Sequence, residues 1–341
     1  MNKNGIAVAG NMVFDILYRV QGLPKPGELT SILEGFSRTC GGAVCNVATD
    51  LAKLDDSVPI TALGRLGTDA EGDFILSMLR NHKNIDISNI KREGITSFTP
   101  VMADEITKQR TFFHYRGANA FFSEDDINWD NIKADLLHIG YILLLDALDA
   151  EDGEFGTKIA RLLFHARERG IKTSVDVVSE NGTRFMSHVP PALKYTDYCI
   201  INEFEAEKTT GVILRDEKNN LLYSNIKIAL EKLKTFGVST WAVIHSPEGG
   251  FGLDSTGKYE EDPTFDLPEN YIKGTVGAGD AFCAGVLYGA YTGFCLRESL
   301  VMGNAAAVCS LSQPGATEGM RSAKDAMALY RKLYKTTDSL K

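Results

Sequence analysis

Short apolar runs alternate along this chain with longer stretches in which apolar residues recur every three or four positions. Runs of the first kind, at 6–9, 59–63, 136–139, 172–178, 198–201 and 241–244, predict strands. Stretches of the second kind predict helices over 43–54, 70–81, 154–169, 224–236, 278–291, 296–311 and 322–334. Strand and helix in alternation predict a three-layer α/β/α fold, with a mainly parallel sheet covered by helices on both faces. Ligands in such sheets gather at the carboxyl ends of the strands. Two stretches, 12–40 and 97–116, break the rhythm and read as extended ribbon, the second with strand-like 98–102 and 110–115 around a polar turn. They are either surface hairpins or a small β lid over a site. The polar stretch 215–220 reads as a loop, so residues 1–341 are expected to form a single α/β domain with the lid inside it.

Composition narrows the partners. The 341 residues are 44% hydrophobic and 24% charged, ordinary for a globular protein, and no run approaches the roughly 20 apolar residues that span a bilayer. Met1 to Gly5 pass straight into an apolar run without the pattern of a signal peptide, and the six cysteines form no Cys-x-x-Cys pair. A cytoplasmic protein with reduced cysteines and no membrane partner is expected. A net charge of −9 argues against a nucleic-acid partner. It leaves room for a small anion, because a local nest of amides outweighs distant surface charge.

The densest chemistry lies in Gly274-Thr275-Val276-Gly277-Ala278-Gly279-Asp280, a small-residue turn entering a helix. Gly277, Ala278 and Gly279 let the backbone aim its amides at an anion, and a new helix adds partial positive charge. Asp280 is either a helix cap or the group that takes a proton from an attacking hydroxyl. A second glycine-rich helix entry, Gly41-Gly42-Ala43-Val44-Cys45-Asn46, allows close backbone approach. Asn46 there offers a donor and an acceptor to a hydroxyl group or merely faces solvent. Asp15 follows the first strand and is a turn residue or an acceptor for two neighbouring sugar hydroxyls. Asn202 and Glu205, after the strand at 198–201, are a capping box or an oxygen-rich patch that orients magnesium through water. No Walker phosphate-binding motif occurs, and no G-x-G-x-x-G turn follows the first strand.

Together these residues resemble the ribokinase-like, or PfkB, family of carbohydrate kinases over nearly the whole chain. The two signature segments are Gly41 to Ala48 and Thr275 to Gly285, in the family's order and at its spacing. They are joined by Leu23 to Glu28, by Gly64-Arg65-Leu66-Gly67-Thr68-Asp69 and by the Asn-x-x-Glu of Asn202 and Glu205. The resemblance implies an ATP-dependent sugar kinase, with Asp280 as catalytic base and the amides of Gly277, Ala278 and Gly279 as anion hole. It further implies that Asp15, Gly41, Gly42 and Asn46 hold the substrate, that Asn202, Glu205, Thr275, Gly250 and Asn304 serve the nucleotide, and that Asn202 and Glu205 place Mg²⁺ through water. Dimers through the lid are frequent in the family.

Departures from the family pattern bear on the substrate. The Asp that most often precedes Thr275 and belongs to a monovalent-cation loop is Gly274 here, which puts potassium activation in doubt. Ribokinases proper carry Asn, Glu and Lys where this chain has Val13, Gly140 and Ala43, so ribose is a poor fit. Arg116, at the end of the second ribbon, is a surface arginine or a reader of a sugar acid, as in related 2-keto-3-deoxygluconate kinases. A nucleoside kinase shares the same base and anion hole, and a non-catalytic sugar sensor of the same fold is a third alternative.

Overall fold

The computed structural model describes residues 3–107 and 109–338, and side chains as far as 335. Its strands are β1 (Ile6–Gly10), β2 (Val13–Val20), β3 (Ile32–Gly41), β4 (Ile60–Leu66), β5 (Ile85–Asp86), β6 (Ile90–Arg92), β7 (Phe98–Asp104), β8 (Arg110–Phe112), β9 (Leu136–Ile142), β10 (Glu151–Asp152), β11 (Gly156–Thr157), β12 (Lys172–Val177), β13 (Tyr198–Asn202), β14 (Trp241–Ser246), β15 (Gly249–Leu253) and β16 (Tyr259–Pro263). Its helices are α1 (Ala43–Leu54), α2 (Ala70–Leu79), α3 (Asp146–Asp149), α4 (Lys158–Glu168), α5 (Phe185–Leu193), α6 (Glu203–Thr210), α7 (Tyr223–Thr235), α8 (Ala278–Thr292), α9 (Leu296–Leu311) and α10 (Ala323–Asp338).

Among the described residues, ten strands build the large sheet in the order β16-β15-β14-β13-β12-β9-β1-β4-β5, with β6 also on β4. From β14 to β5 the pairing is parallel, as buried βα units require. Side chains of β1 point alternately to the two faces. Ile6 and Val8 join a core with α1, α8 and α9, whereas Ala7 and Ala9 join one with α4, α5 and α7. The three-layer expectation therefore holds. A separate four-stranded sheet, β3-β2-β7-β8, is formed by the two irregular ribbons. No helix among the described residues is long and apolar enough to cross a membrane.

Three local expectations change. The helix expected over 154–169 begins only at Lys158, because β10 and β11 form a small hairpin and the Thr157 hydroxyl caps the amide of Ala160 at 3.3 Å. Helix α5, which carries Pro190 and Pro191, was hidden by those prolines. Strands β15 and β16 extend the sheet by antiparallel pairing, and the glycine-rich Gly249–Leu253 gives little strand signal. Those glycines serve packing: a Cβ on Gly250 would lie 2.8 Å from the ring of Phe282, and one on Gly252 2.9 Å from Leu296.

Close packing also sets the position of α8, the helix that carries Asp280. A Cβ on Gly285 would lie 2.6 Å from the backbone oxygen of Met302, and one on Gly303 would lie 2.9 Å from the Phe282 ring. Helices α8 and α9 meet backbone to backbone across these glycines. We expect Gly285→Ala to destabilise the protein despite alanine's helix propensity, which favours it by about 1 kcal/mol. Overpacking a rigid backbone contact costs about 1–3 kcal/mol. A melting temperature at or above that of the parent would refute this.

Candidate active site

The carboxyl ends of β9, β12, β13 and β14 face the start of α8 across a cleft of about 260 Å³, lined by Tyr141, Asp176, Ser179, Asn202, Glu205, His245, Gly277, Gly279 and Asp280 among others. Helix α8 starts from Gly277 in the left-handed region, with φ of 78°, and a Cβ there would lie 2.6 Å from Ala316. Only glycine meets both demands. Gly277 has no side chain to cap the helix, so the leading amides keep their hydrogen-bonding capacity and the helix end its partial positive charge. Ala278 sits in the same turn, its amide making a long 3.4 Å bond to the carbonyl of exposed Thr275.

Asp280 is buried, and its carboxylate bonds to two other elements of the fold. Asn46 on α1 donates to Oδ2 at 2.8 Å, and the Tyr141 hydroxyl donates to Oδ1 and Oδ2 at 2.9 Å each. The N-cap position belongs to Gly277, so the cap reading of Asp280 falls away. Burial pushes the Asp280 carboxyl up to about 6, against the pull of the Asn46 and Tyr141 donors. Such a group is ionised at neutral pH and basic enough to receive a proton. Tyr141 itself has φ of 59°, a conformation that costs an aromatic residue about 1–2 kcal/mol. Nothing in a single sequence marks it; only its strand was legible.

The cleft is acidic. Asp176 and Glu205 share it with Asp280, and among the described residues no lysine or arginine lines it. Burial raises Asp176 well above the usual carboxylate range, helped by repulsion from Glu205 and Asp280, and burial lifts Glu205 to about 7. Asn202 and Glu205 do form the capping box: the Glu205 amide donates to Asn202 Oδ1 at 2.9 Å and Glu205 Oε2 accepts the Asn202 amide at 2.9 Å. Glu205 Oε1 also accepts from Ser179 at 2.7 Å, which fixes the patch in the cleft wall. One helical turn beyond Asn46 lies Asp50, fully buried, with neither carboxyl oxygen hydrogen-bonded. Burial first, and repulsion from Asp280 second, raise its pKa well above the usual range, with Lys53 opposing.

The glycine-rich entry to α1 joins the same site. Gly42 has φ of 86°, and a Cβ there would lie 2.6 Å from the carbonyl of Asn11; a Cβ on Gly41 would strike the Asp15 carboxylate. Asp15 stands on β2 between Thr39 and Thr99; burial raises it to about 6 while the Thr99 hydroxyl lowers it. The side-chain oxygens of Asn11 and Asn46 are buried without partners, which leaves two acceptors for a ligand's hydroxyls. Arg116 is tied down: Nη1 pairs with Asp146 at 3.1 Å and donates to the carbonyl of Leu143 at 3.2 Å.

Three expected nucleotide residues are not among those lining the cleft: Thr275 is exposed in the turn before α8, and Gly250 and Asn304 lie elsewhere. Gly250 lies in β15, where its smallness admits Phe282. Asn304 is buried on α9 and donates to the carbonyl and the carboxylate of Asp262, both at 2.7 Å. Tyr141, Asp176 and Asp50 are the chemically loaded residues that sequence reasoning missed.

Comparison with known proteins accords with this geometry. Residues 3–323 match the profile described as pfkB family carbohydrate kinase. A 5-dehydro-2-deoxygluconokinase of Geobacillus thermodenitrificans is 24% identical over 84% of this chain and 82% of its own length. An adenosine kinase of Saccharomyces cerevisiae is 28% identical over 81% and 78%. The structure of Arabidopsis thaliana ribokinase complexed with ribose and ATP superposes with a TM-score of 0.79 at 22% identity, covering 97% of this chain and 99% of the other.

The isolated carboxyl of Asp50 has a measurable consequence. It stays protonated in the fold at pH values where the unfolded chain has already ionised, so its share of stability is greatest in acid and is lost as pH rises. Asp50→Asn should therefore melt higher than the parent at pH 8, with the gap closing towards pH 4. Thermal melts with a constant or inverted gap would contradict the burial argument.

Proposed function

The chain belongs to the pfkB family of carbohydrate kinases, and from that premise we propose that it transfers the γ-phosphoryl group of ATP to a hydroxyl of a small carbohydrate, with Asp280 as base. The observation that carries this reading is the placement of a buried, ionisable carboxylate against the uncapped start of α8. Asp280 takes the acceptor's proton as the new P–O bond forms and the bond from the γ-phosphorus to the bridging oxygen breaks, releasing ADP, and the amides of Gly277, Ala278 and Gly279 stabilise charge gathering on the transferred group. Asp15, Gly41, Gly42 and Asn46 hold the acceptor, the unpartnered oxygens of Asn11 and Asn46 receiving its hydroxyls.

The donor set fits magnesium that keeps its water shell. Among the described residues no group of three or more His, Cys, Asp or Glu is arranged to chelate a metal, whereas Asp176, Asn202 and Glu205 offer oxygens to bound waters. When bound, magnesium neutralises charge across the β- and γ-phosphates. The β2, β3, β7 and β8 sheet is the lid, and Ile32, Phe36, Phe112 and Phe113, each more than half exposed, offer it an apolar face for closure or for a second copy of the chain.

For the acceptor, a sugar or sugar acid other than ribose comes first. A Cβ at Gly140 would overlap that of Ala43, so the two places where ribokinases carry Glu and Lys are filled here by residues in mutual contact. The relative named 5-dehydro-2-deoxygluconokinase supports this order. The relative named adenosine kinase keeps a nucleoside acceptor as the second reading.

An ATP-consumption screen over 5-dehydro-2-deoxygluconate, ribose, fructose and adenosine should find turnover, and Asp280→Asn should lower kcat roughly 10²-fold or more with KM little changed. Turnover with none of these acceptors moves the reading to a sugar sensor, and near-parental kcat in Asp280→Asn removes the base. Potassium should not matter: a Cβ at Gly274 would lie 2.7 Å from the carbonyl of Pro314, leaving no room for the aspartate of a cation loop. Activity that rises several-fold when potassium replaces a bulky organic cation would refute this.

A further inference from the structure

We propose that Tyr141 is the positioning residue of this site, its hydroxyl aiming the Asp280 carboxylate and standing in for the acceptor hydroxyl until one arrives. The inference rests on the reading of Asp280 as base. The phenol oxygen is 2.9 Å from each carboxylate oxygen, whereas Asn46 engages Oδ2 alone. An entering hydroxyl that donates to Oδ1 thus competes with the Tyr141 bond only. As it does so, Tyr141 retains Oδ2, and the carboxylate keeps its orientation.

The backbone around Tyr141 is built to hold this geometry. Its left-handed φ of 59° is followed by 82° at Leu143. The carbonyl of Leu143 accepts from Arg116 at 3.2 Å and from Arg184 at 2.7 Å. On the other side, Asp149 accepts from the amides of Leu143 and Leu145 at 3.1 and 2.9 Å. Two guanidinium groups and a carboxylate thus over-determine an unfavourable backbone, the circumstance in which strain marks a site. On the sheet side, Gly140 abuts Ala43 and leaves no space for a side chain that would reach Asp280 in place of the phenol.

Burial gives the hydroxyl a second task. The groups around Asp280 are Asp50 and Asn46 from α1, Asp176 from β12, Glu205 from α6, His245 from β14 and Cys283 from α8. Burial lowers His245 to about 4, so it is neutral at working pH. Within this set, burial opposes ionisation of Asp280, while Asn46 and Tyr141 are its side-chain donors. Loss of the phenol hydroxyl leaves the buried carboxylate with one side-chain donor, and its proton affinity rises. Tyr141 itself keeps its proton, since burial and the nearby Asp280 charge push its pKa far up.

The test is a titration of the full-length protein labelled with [4-¹³C]aspartate, without substrate, with the Asp280→Asn spectrum identifying the Asp280 resonance. In Tyr141→Phe the Asp280 midpoint should rise by at least about half a pH unit, and the acid limb of kcat/KM for the acceptor that turns over should move with it. Site-specific 3-fluorotyrosine at 141, a stronger donor in the parent shape, should move the midpoint the other way. An unmoved midpoint in both variants overturns the proposal and leaves the base assignment standing. An Asp280→Asn enzyme that retains turnover overturns both.

Discussion

A carboxylate buried beside the leading amides of a helix is placed against electrostatics, because the charge it carries repels the anion those amides attract. Asp280 is in that position at the start of α8, and the surrounding structure is arranged to keep it there. Its two oxygens are held by Asn46 and Tyr141, which reach it from α1 and β9. Neither donor carries a charge. A lysine or arginine would have held the carboxylate more firmly and lowered its pKa, making it a poorer proton acceptor. Neutral donors leave it near 6, ionised at neutral pH and still basic.

Three separated segments have to meet for this to work, and small residues permit each meeting. Gly42 brings the start of α1 under the carbonyl of Asn11, Gly140 lets β9 slide against Ala43, and Gly277 turns the chain against Ala316 into α8. The glycines of α8 and α9 then fix the helix to its neighbour. A side chain at any of these points would shift the carboxylate or its donors by a sizeable fraction of an ångström, at a site where positioning supplies much of the rate. On the proposed reading, the Gly140 and Ala43 contact that leaves no room for a side chain at 140 also shapes the acceptor pocket.

The fold was legible because periodicity reports burial directly: six strands and the principal helices fall where hydrophobic spacing places them. Strand β15 was not, because Gly250 and Gly252 admit Phe282 and Leu296, Gly249 lies against the backbone of Asp262, and none of the three carries a β signal. In the site, glycine-flanked residues were legible, since Asp280 and Asn46 sit in strings whose backbone demands are visible. Tyr141, Asp176 and Asp50 sit in apolar strands or mid-helix, and their importance comes from what lies across the cleft, 234 residues away along the chain in the case of Asn46 and Asp280. The Asn202 and Glu205 pair shows that a capping box and a cleft wall can be one object: the bonds that cap α6 are those that fix its oxygens in place.

Charge separates the two halves of the site. On the side where the proposed reading puts the acceptor, the unpartnered oxygens of Asn11 and Asn46 and the carboxylate of Asp15 are all acceptors, which would suit a ligand rich in hydroxyl donors. On the side where the proposed reading puts the phosphates, Asp176, Glu205 and Asp280 line the cleft, and whichever of them are ionised oppose a bare polyanion. On that reading Asp176 and Glu205 would face a divalent cation brought in with the nucleotide, and the cation would offset their charge. On the proposed reading the acids would thus favour a metal-bound nucleotide over a bare one, and the acidity of the cleft would become a means of discrimination.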